Sequence, residues 1–256
     1  MTVLTDLDGV LYRGSQVLAG VPGALSRLHS AGVEVLYITN NSLRSPRAGA
    51  EKISMLTGVP VTPEQLLTSG RAAAEMLRPE DGPVLLVGED GVVDALESAG
   101  LEATTDPTEA RSVLVGLTRR LSYQVVHDAM TAIRSGARFI ATNTDATYPT
   151  EHGMAPGCGA IVAAIATASG RAPEVAGKPH PPMVELIRSR VTEPVWVIGD
   201  RIDTDIALAR GQAGWTSILV LSGVTGAEEA GNGGADHVVA DFAAAVDLVL
   251  GVGDRS

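Results

Sequence analysis

Two aspartates near the amino terminus have the spacing of a catalytic carboxylate pair. Asp6 and Asp8 follow a short apolar run, and Gly9 comes next. Because side chains two residues apart share one face of a strand, both carboxylates can point to one place, and glycine lets the chain turn away there. Asp6 can then attack an electrophile while Asp8 transfers protons. An ordinary turn is one alternative; a calcium loop is disfavoured, because Leu4 and Ser15 stand where that loop needs oxygen ligands.

A second polar group follows the strand-like run at 33–38. Thr39, Asn40 and Asn41 offer a hydroxyl and amides at the end of that run, where they can hold phosphate oxygens. A simple strand-ending turn is the alternative, because asparagine tolerates left-handed backbone.

Lys178 is one of only two lysines among the 19 Lys and Arg residues of the chain. It lies in the loop 177–181, before a predicted helix. A compact ammonium suits a crowded phosphate pocket better than a planar guanidinium, so we interpret Lys178 as a phosphate-binding residue. A solvated loop lysine is the alternative.

Three further carboxylates follow the buried-looking strand at 195–199. They are Asp200, Asp203 and Asp205. Asp203 can cap the following helix, whereas Asp200 has no such simple structural role. Asp200 is therefore the candidate for chemistry at this strand end.

Predicted strands and helices alternate along the chain, which indicates parallel sheets covered by helices. Strands are predicted at 2–6, 33–39, 83–88, 112–116, 139–142, 195–199 and 217–221, and helices at 22–30, 91–98, 122–134, 182–190 and 204–212. A helix is also expected to open at Ser45, and Thr62 to Gln65 has the form of a capping box. Ligands of open α/β sheets bind at the carboxyl ends of strands, so Asp6, Thr39 and Asp200 are expected in one crevice.

The motifs together resemble those of a known family. The segments 6–11, 39–42, 177–179 and 199–206, in this order, resemble the haloacid dehalogenase (HAD) superfamily of aspartate-nucleophile phosphohydrolases. With 141–145 and 156–160, the chain is more narrowly similar to the NagD and 4-nitrophenyl phosphatase subfamily, type IIA. One mild departure is the sequence after Asp205, 207–209, where a glycine is usual.

The resemblance implies an α/β fold with a Rossmann-like parallel-sheet core and an inserted α/β cap domain of the C2 type. The domains expected from it are a core formed by 1–79 and 174–256, and a cap formed by 80–173.

The resemblance also implies hydrolysis of a phosphate monoester through an aspartyl phosphate, with Mg²⁺ as cofactor. Asp6 is the implied nucleophile and Asp8 the acid and base. The implied ligands of Mg²⁺ are Asp6, Asp200 and the backbone carbonyl of Asp8. Asp205 is expected to orient Lys178 or a metal-bound water, with capping of the helix start as an equal alternative.

The remaining implied contacts are with substrate. Thr39, Asn40, Asn41 and Lys178 are expected to bind the phosphate. The segment 143–153 resembles the substrate-facing cap loop of the subfamily. It offers Asn143, Asp145 and Tyr148, and loops on a rigid scaffold commonly determine specificity. An ordinary surface loop, with Asn143 and Asp145 bonded to its own backbone, is the alternative. Glycerol phosphate, phosphoglycolate or a small sugar phosphate is favoured, with 4-nitrophenyl phosphate as a test substrate.

Composition restricts the partners. The net charge of −11 and the pI near 4.9 would repel nucleic acid and anionic membranes. The sequence has no apolar stretch approaching the ~20 residues of a spanning helix and no cleavable leader pattern, so a cytoplasmic location is expected. A single cysteine, Cys158, suits a reducing compartment; a small residue in a turn is its expected role. A small phosphate ester is the expected partner, and a homodimer is the one assembly considered.

Other activities stay open at this point. A phosphotransferase or mutase would use the same aspartate pair, and a nucleotide phosphatase would differ only in substrate. A dinucleotide-dependent oxidoreductase shares the fold class but requires a glycine fingerprint that the chain lacks. Arg44 can steer a substrate or be a solvated loop residue, and His180 is expected to be structural.

Overall fold

A six-stranded parallel sheet, the large sheet, lies at the centre of the computed structural model, which describes residues 1–150 and 153–251. Its strands in spatial order are His237–Val239, Trp215–Val220, Val195–Gly199, Thr2–Thr5, Glu34–Thr39 and Leu66–Thr68. The strand Thr2–Thr5 therefore lies between the strands that end at Gly199 and at Thr39. Asp6, Thr39 and Asp200 consequently share one edge of the sheet, as expected.

Both faces of the large sheet are buried. Val3 packs in one apolar cluster with Leu28 and Phe242, whereas the next residue, Leu4, packs in another with Met183. This alternation follows from the two-residue period of a strand, and it confirms the expected doubly covered parallel sheet. The helices outside the small sheet described next are Val21–Ser30, Pro46–Thr57, Ser69–Glu75, Pro181–Arg188, Ala207–Ala209, Ala227–Ala230 and Phe242–Val249.

A second parallel sheet of five strands, the small sheet, forms the cap. Its strands in spatial order are Glu174–Val175, Arg138–Ala141, Ser112–Val115, Val84–Val87 and Ala103–Thr104, and its helices are Asp90–Ser98, Tyr123–Arg134 and Cys158–Ser169. The domain limits 1–79, 80–173 and 174–256 stay a prediction. In the structure, Glu174–Val175 pairs with the small sheet.

Two local features begin helices where the sequence predicts them. The Ser45 hydroxyl accepts a hydrogen bond from the Ala48 N–H at 3.3 Å, and the Ser122 hydroxyl accepts one from the Val125 N–H at 3.2 Å. Such caps satisfy an N–H group that has no partner within the helix.

The predicted capping box of Thr62 and Gln65 is present, but it opens only the short 3₁₀ turn Pro63–Gln65. The chain then forms the edge strand Leu66–Thr68, which the sequence did not predict. A further 3₁₀ turn is Pro79–Asp81.

The segment 143–153, predicted as a loop, contains a strand instead. Thr147–Thr150 pairs with Gly153–Pro156 as an antiparallel hairpin. Threonine and tyrosine favour strands, and Pro149 is tolerated because the two strands form an isolated ribbon with free edges. Residues 151 and 152 lie outside the described residues. A second small hairpin pairs Tyr12–Arg13 with Gln16–Val17.

Within the described ranges, no helix has the length and apolar character needed to cross a membrane.

Candidate active site

Asp6 and Asp8 lie directly after the central strand. The Asp6 N–H donates to the Ile198 carbonyl at 2.9 Å, which continues the sheet ladder by one residue. Gly9 follows with a φ of 90°, and a Cβ there would come within 2.5 Å of an Asp200 carboxylate oxygen. Glycine is therefore required for the turn, which lets the chain carrying Asp6 and Asp8 approach Asp200.

Lys178 bridges two carboxylates. Its Nζ donates to Asp6 Oδ1 at 2.5 Å and to Asp205 Oδ1 at 2.6 Å, and its side chain is only 2% exposed. Burial disfavours the ammonium, but the two carboxylates outweigh this effect, so the pKa of Lys178 is raised above its usual value. Lys178 is therefore a fixed positive charge, not a solvated loop lysine.

Asp200 occupies the end of the neighbouring strand Val195–Gly199. Its Oδ2 accepts a hydrogen bond from the Val224 N–H at 2.7 Å, and its side chain is almost fully buried. The loop that carries Val224 was not predicted to contribute to the site, because a backbone donor has no sequence pattern.

The turn after Asp200 differs from the helix predicted at 204–212. Ile202–Ile206 forms a π-helical turn, and only Ala207–Ala209 is α-helical. The Arg201 carbonyl accepts from both the Asp205 N–H at 3.0 Å and the Ile206 N–H at 3.2 Å. This widened turn directs Asp205 back toward Lys178, and such turns are frequent at functional sites.

Asp205 contacts Lys178 and also the backbone at the start of the turn, the two roles that the sequence left open. Its Oδ1 accepts from Lys178, and its Oδ2 accepts from the Arg201 N–H at 3.2 Å. Its side chain packs directly on Gly199, where a Cβ would overlap it. Asp205 thus orients Lys178 and also closes the start of the turn.

Burial governs the titration of these acids. It raises the pKa of Asp6 well above the usual value, against the opposing effect of Lys178. It raises the pKa of Asp200 to about 7, to which Asp205 contributes. Burial also raises the pKa of Asp8, although Lys52 and a hydrogen bond with Asn41 oppose the change. When ionised, the carboxylates of Asp6, Asp200 and Asp205 carry three negative charges against the single positive charge of Lys178.

The same cluster suits a magnesium ion. Carboxylate oxygens of Asp6, Asp200 and Asp205 lie within 4.8 Å of one another. Mg²⁺ prefers oxygen ligands and carboxylates in particular, and the excess negative charge would favour a divalent cation. The residues present therefore fit the cofactor that the sequence predicts.

The residues after the strand Glu34–Thr39 have divided roles. Thr39 Oγ1 accepts from the Asn41 N–H at 3.0 Å, so the strand-ending turn is formed. The Asn40 side chain accepts from the Lys178 N–H at 2.8 Å and donates to the Lys178 carbonyl and to both Asp145 oxygens, each at 3.2 Å. The Asn40 carboxamide therefore holds the Lys178 loop in place.

The predicted cap residues also divide. The buried Asn143 donates to the Asn40 carbonyl at 2.6 Å, and its Oδ1 accepts from the Asp145 N–H at 3.1 Å. Asn143 and Asp145 thus link the small sheet to the Lys178 loop. Tyr148, on the hairpin Thr147–Thr150, remains the most suitable of the three for contact with a substrate.

All of these side chains converge. A cavity of about 60 Å³ is lined by every predicted site residue, namely Asp6, Asp8, Thr39, Asn40, Asn41, Asn143, Asp145, Tyr148, Lys178, Asp200 and Asp205. Residues from three adjacent strands of the large sheet and from the cap therefore form one site.

Arg201 and Cys158 are among the other residues that line this cavity. Arg201, which sequence reasoning missed, pairs with Asp203 at 3.1 Å and donates to the Thr147 carbonyl at 3.5 Å; its position next to Asp200 was the available indication. Cys158 is buried, and burial raises the pKa of its thiol to about 11, so it is protonated at neutral pH. The half-buried His180 does not line the cavity.

Comparison with known proteins agrees with the geometry. The family model described as haloacid dehalogenase-like hydrolase matches residues 3–102, and one described as HAD-hydrolase-like matches residues 175–245. A dihydroxyacetone phosphatase from Corynebacterium glutamicum is 35% identical over 230 residues, which cover 88% of this chain and 82% of that protein.

Two solved structures are similar over nearly the whole chain. A p-nitrophenyl phosphatase from Archaeoglobus fulgidus has 30% identity and a TM-score of 0.85, over 96% of this chain and 98% of its own. A glycerol phosphate phosphatase from Mycobacterium tuberculosis, determined in complex with magnesium, has 34% identity and a TM-score of 0.84. The match covers 94% of this chain and 74% of that chain. Since these relatives are 30–35% identical to this chain over 88% or more of its length, the chain belongs to the haloacid dehalogenase-like hydrolases and is a phosphatase of the 4-nitrophenyl phosphatase type.

Proposed function

We propose that this protein hydrolyses small phosphate monoesters with Mg²⁺ as cofactor and Asp6 as the nucleophile. The observation that carries the proposal is the Lys178 ammonium, fixed between Asp6 and Asp205 in a small cavity that Asp8 and Asp200 also line. A phosphate dianion approaches a carboxylate nucleophile only where positive charge offsets the repulsion, and a preorganised ammonium provides this.

The reaction has two steps. In the first, an Asp6 oxygen attacks phosphorus, the ester P–O bond breaks, and Asp8 donates its proton to the departing alkoxide. In the second, the ionised Asp8 takes a proton from water, which attacks the phosphorus of the aspartyl phosphate and releases Asp6. The raised pKa of Asp8 supports its role as the proton donor.

The other groups hold the phosphate. Asp6, Asp200 and the Asp8 carbonyl would hold Mg²⁺, which supplies positive charge to the phosphate oxygens when bound. Lys178 neutralises a further part of the charge, and Asp205 orients Lys178. Thr39 and Asn41 line the cavity as hydrogen-bonding groups for the phosphate, while Asn40 positions the Lys178 loop.

A substrate panel tests the proposal. Phosphate release from glycerol phosphate, dihydroxyacetone phosphate, sugar phosphates, nucleoside monophosphates and 4-nitrophenyl phosphate should require Mg²⁺ and be fastest for a small non-nucleotide ester. The absence of Mg²⁺-dependent release from every ester would contradict it, and transfer to a second hydroxyl would indicate a phosphotransferase. A homodimer and a cytoplasmic location stay predictions from the sequence.

Asp8→Asn should affect esters according to their leaving groups. An amide cannot protonate the leaving oxygen, so kcat for glycerol phosphate should fall by about 100-fold or more. The first step with 4-nitrophenyl phosphate, measured as the burst of nitrophenolate, should slow far less, because nitrophenolate leaves without a proton. Equal slowing of both esters in single-turnover measurements would remove Asp8 from the role of proton donor.

Mg²⁺ binding should weaken as the pH falls. The pKa of Asp200 is about 7 in the folded protein, above its ordinary value of 3.8, so in Mg²⁺-free protein its stabilising contribution is present at low pH and is lost as the pH rises through 7. Mg²⁺ requires the ionised carboxylate. The rise in Tm on adding Mg²⁺ should therefore be larger at about pH 8 than at about pH 5.5.

Asp200→Asn provides the control for this dependence. It removes a buried carboxylate without changing its size, so the Tm of Mg²⁺-free protein at about pH 8 should rise or stay constant, while the increase caused by Mg²⁺ should be lost. An Mg²⁺ effect of wild-type size in this variant would exclude Asp200 from the metal site.

A further inference from the structure

A larger groove adjoins the catalytic cavity on one side. Its volume is about 750 Å³, and Asp8, Asn41, Tyr148 and Pro149 line both spaces. The residues that line the cavity but not the groove include Asp6, Lys178, Asp145, Asp200 and Asp205. The groove therefore opens beside the proton donor and away from the nucleophile and its ammonium.

The size of the cavity determines what it can hold. The cavity, of about 60 Å³, is less than a tenth of the size of the groove, of about 750 Å³, so the groove is the larger space available to the alcohol part of a substrate. A general acid must lie within hydrogen-bond reach of the oxygen that it protonates. Since Asp8 is that acid, the leaving alcohol extends past Asp8 into the groove.

The groove is basic in a chain whose net charge is −11. Three of its residues, Arg44, Lys52 and Arg119, carry positive charge, against the acids Asp8 and Glu51. The charge of Glu51 is partly compensated by Arg47, whose Nε lies 3.4 Å from Glu51 Oε1. Arg47 itself does not line the groove. The groove therefore concentrates positive charge next to the leaving-group side of the site.

Two of these cations are placed to contact a ligand. Arg44 and Arg119 are exposed and line the groove from different parts of the chain, Arg44 from the loop before Pro46–Thr57 and Arg119 from the loop after Ser112–Val115. Tyr148 raises the pKa of Arg119 by its hydrogen-bonding and electrostatic effect, and Tyr148 lines both the groove and the cavity. The Lys52 Nζ lies 3.6 Å from the centre of the Tyr12 ring. Its charge adds to the positive electrostatic potential of the groove.

We propose that the preferred substrates are phosphate monoesters whose alcohol part carries a second anionic group, a carboxylate or another phosphate, held in this groove by Arg44 and Arg119. The inference rests on the proposed phosphatase function and specifies its substrate class. Arginine binds both groups in a planar, bidentate manner.

Matched esters test the proposal. Glycerol 3-phosphate and 3-phosphoglycerate share a skeleton and differ by a carboxylate, and fructose 1-phosphate and fructose 1,6-bisphosphate differ by a second phosphate. The wild-type kcat/KM should favour the charged member of at least one pair by about tenfold at low ionic strength, and the preference should decrease with added salt. The pair that shows the preference identifies the anionic group.

Variants of the groove give the second measurement. In Arg44→Gln/Arg119→Gln, kcat/KM for the preferred charged ester should fall by about tenfold, and for its neutral counterpart by less than about threefold. Arg120→Gln is the matched control, because Arg120 is exposed beside Arg119 but lines neither space. Circular dichroism should show that all variants are folded.

The outcomes are distinguishable. No preference for a charged member in wild type, or an equal loss for both members in the double variant, would overturn the groove assignment while leaving the phosphatase function in place. Failure to hydrolyse any ester, including 4-nitrophenyl phosphate, would overturn the proposed function itself.

Discussion

Asp6→Asn should reduce kcat for every phosphate ester by at least about 10⁴-fold. The amide has no anionic oxygen to attack phosphorus, so the aspartyl phosphate cannot form at this position. Steady-state phosphate release measures the loss. Rapid acid quenching with a labelled substrate should detect a phosphoenzyme in wild type and none in the variant.

The fold should survive this substitution. Lys178 keeps its contact with Asp205 at 2.6 Å, and burial already disfavours the ionised form of Asp6, whose pKa is raised. The Tm of Mg²⁺-free protein should therefore not fall at about pH 8. Asp106→Asn is the control at an exposed carboxylate that does not line the cavity and should retain the wild-type kcat. A folded Asp6→Asn enzyme with kcat near wild type would refute the covalent mechanism.

The main parts of the fold and site could be predicted because they depend on local pattern. An apolar strand in a doubly covered parallel sheet reads as a continuous apolar run, and its carboxyl end is marked by the first polar residues. Asp6, Thr39 and Asp200 occupy such ends on three adjacent strands. The sequence also indicated Lys178 by its rarity, and the structure places it in contact with Asp6.

The remaining features depend on contacts between distant segments. The sequence predicts that the Asn40 and Asn143 amides bind substrate, which stays a prediction. Both residues line the cavity, and in the structure their amides also hydrogen-bond to Lys178, Asp145 and the Asn40 carbonyl. An amide has the same pattern in either role, so only its neighbours determine which one it has. The π-helical turn Ile202–Ile206 also depends on a distant contact, since Asp205 is held by Lys178, a residue 27 positions earlier.

Lys178→Arg should lower kcat/KM by at least about 100-fold although the charge is kept. The Lys178 side chain is 2% exposed and fits between Asp6 Oδ1 and Asp205 Oδ1 at 2.5 and 2.6 Å. A guanidinium is longer and planar, so it must displace one of the two carboxylates or enter the small space left for the phosphate. Steady-state kinetics with glycerol phosphate and 4-nitrophenyl phosphate measure the loss, which should be similar for both because Lys178 acts on the phosphate that they share.

Lys178→Met separates the loss of charge from the change of shape. Methionine fills a similar volume but leaves two buried carboxylates without their cation, so the free energy of unfolding at about pH 8 should fall by roughly 3–5 kcal/mol. The penalty should shrink toward about pH 5, because carboxyl groups whose pKa is already raised by burial, such as Asp6, become neutral there and need no partner. Lys178→Arg keeps the cation and should lose less stability than Lys178→Met at about pH 8. If Lys178→Arg instead kept the wild-type kcat/KM, the site would require only a positive charge at this position, and the assignment of Lys178 as a geometrically defined phosphate ligand would be wrong.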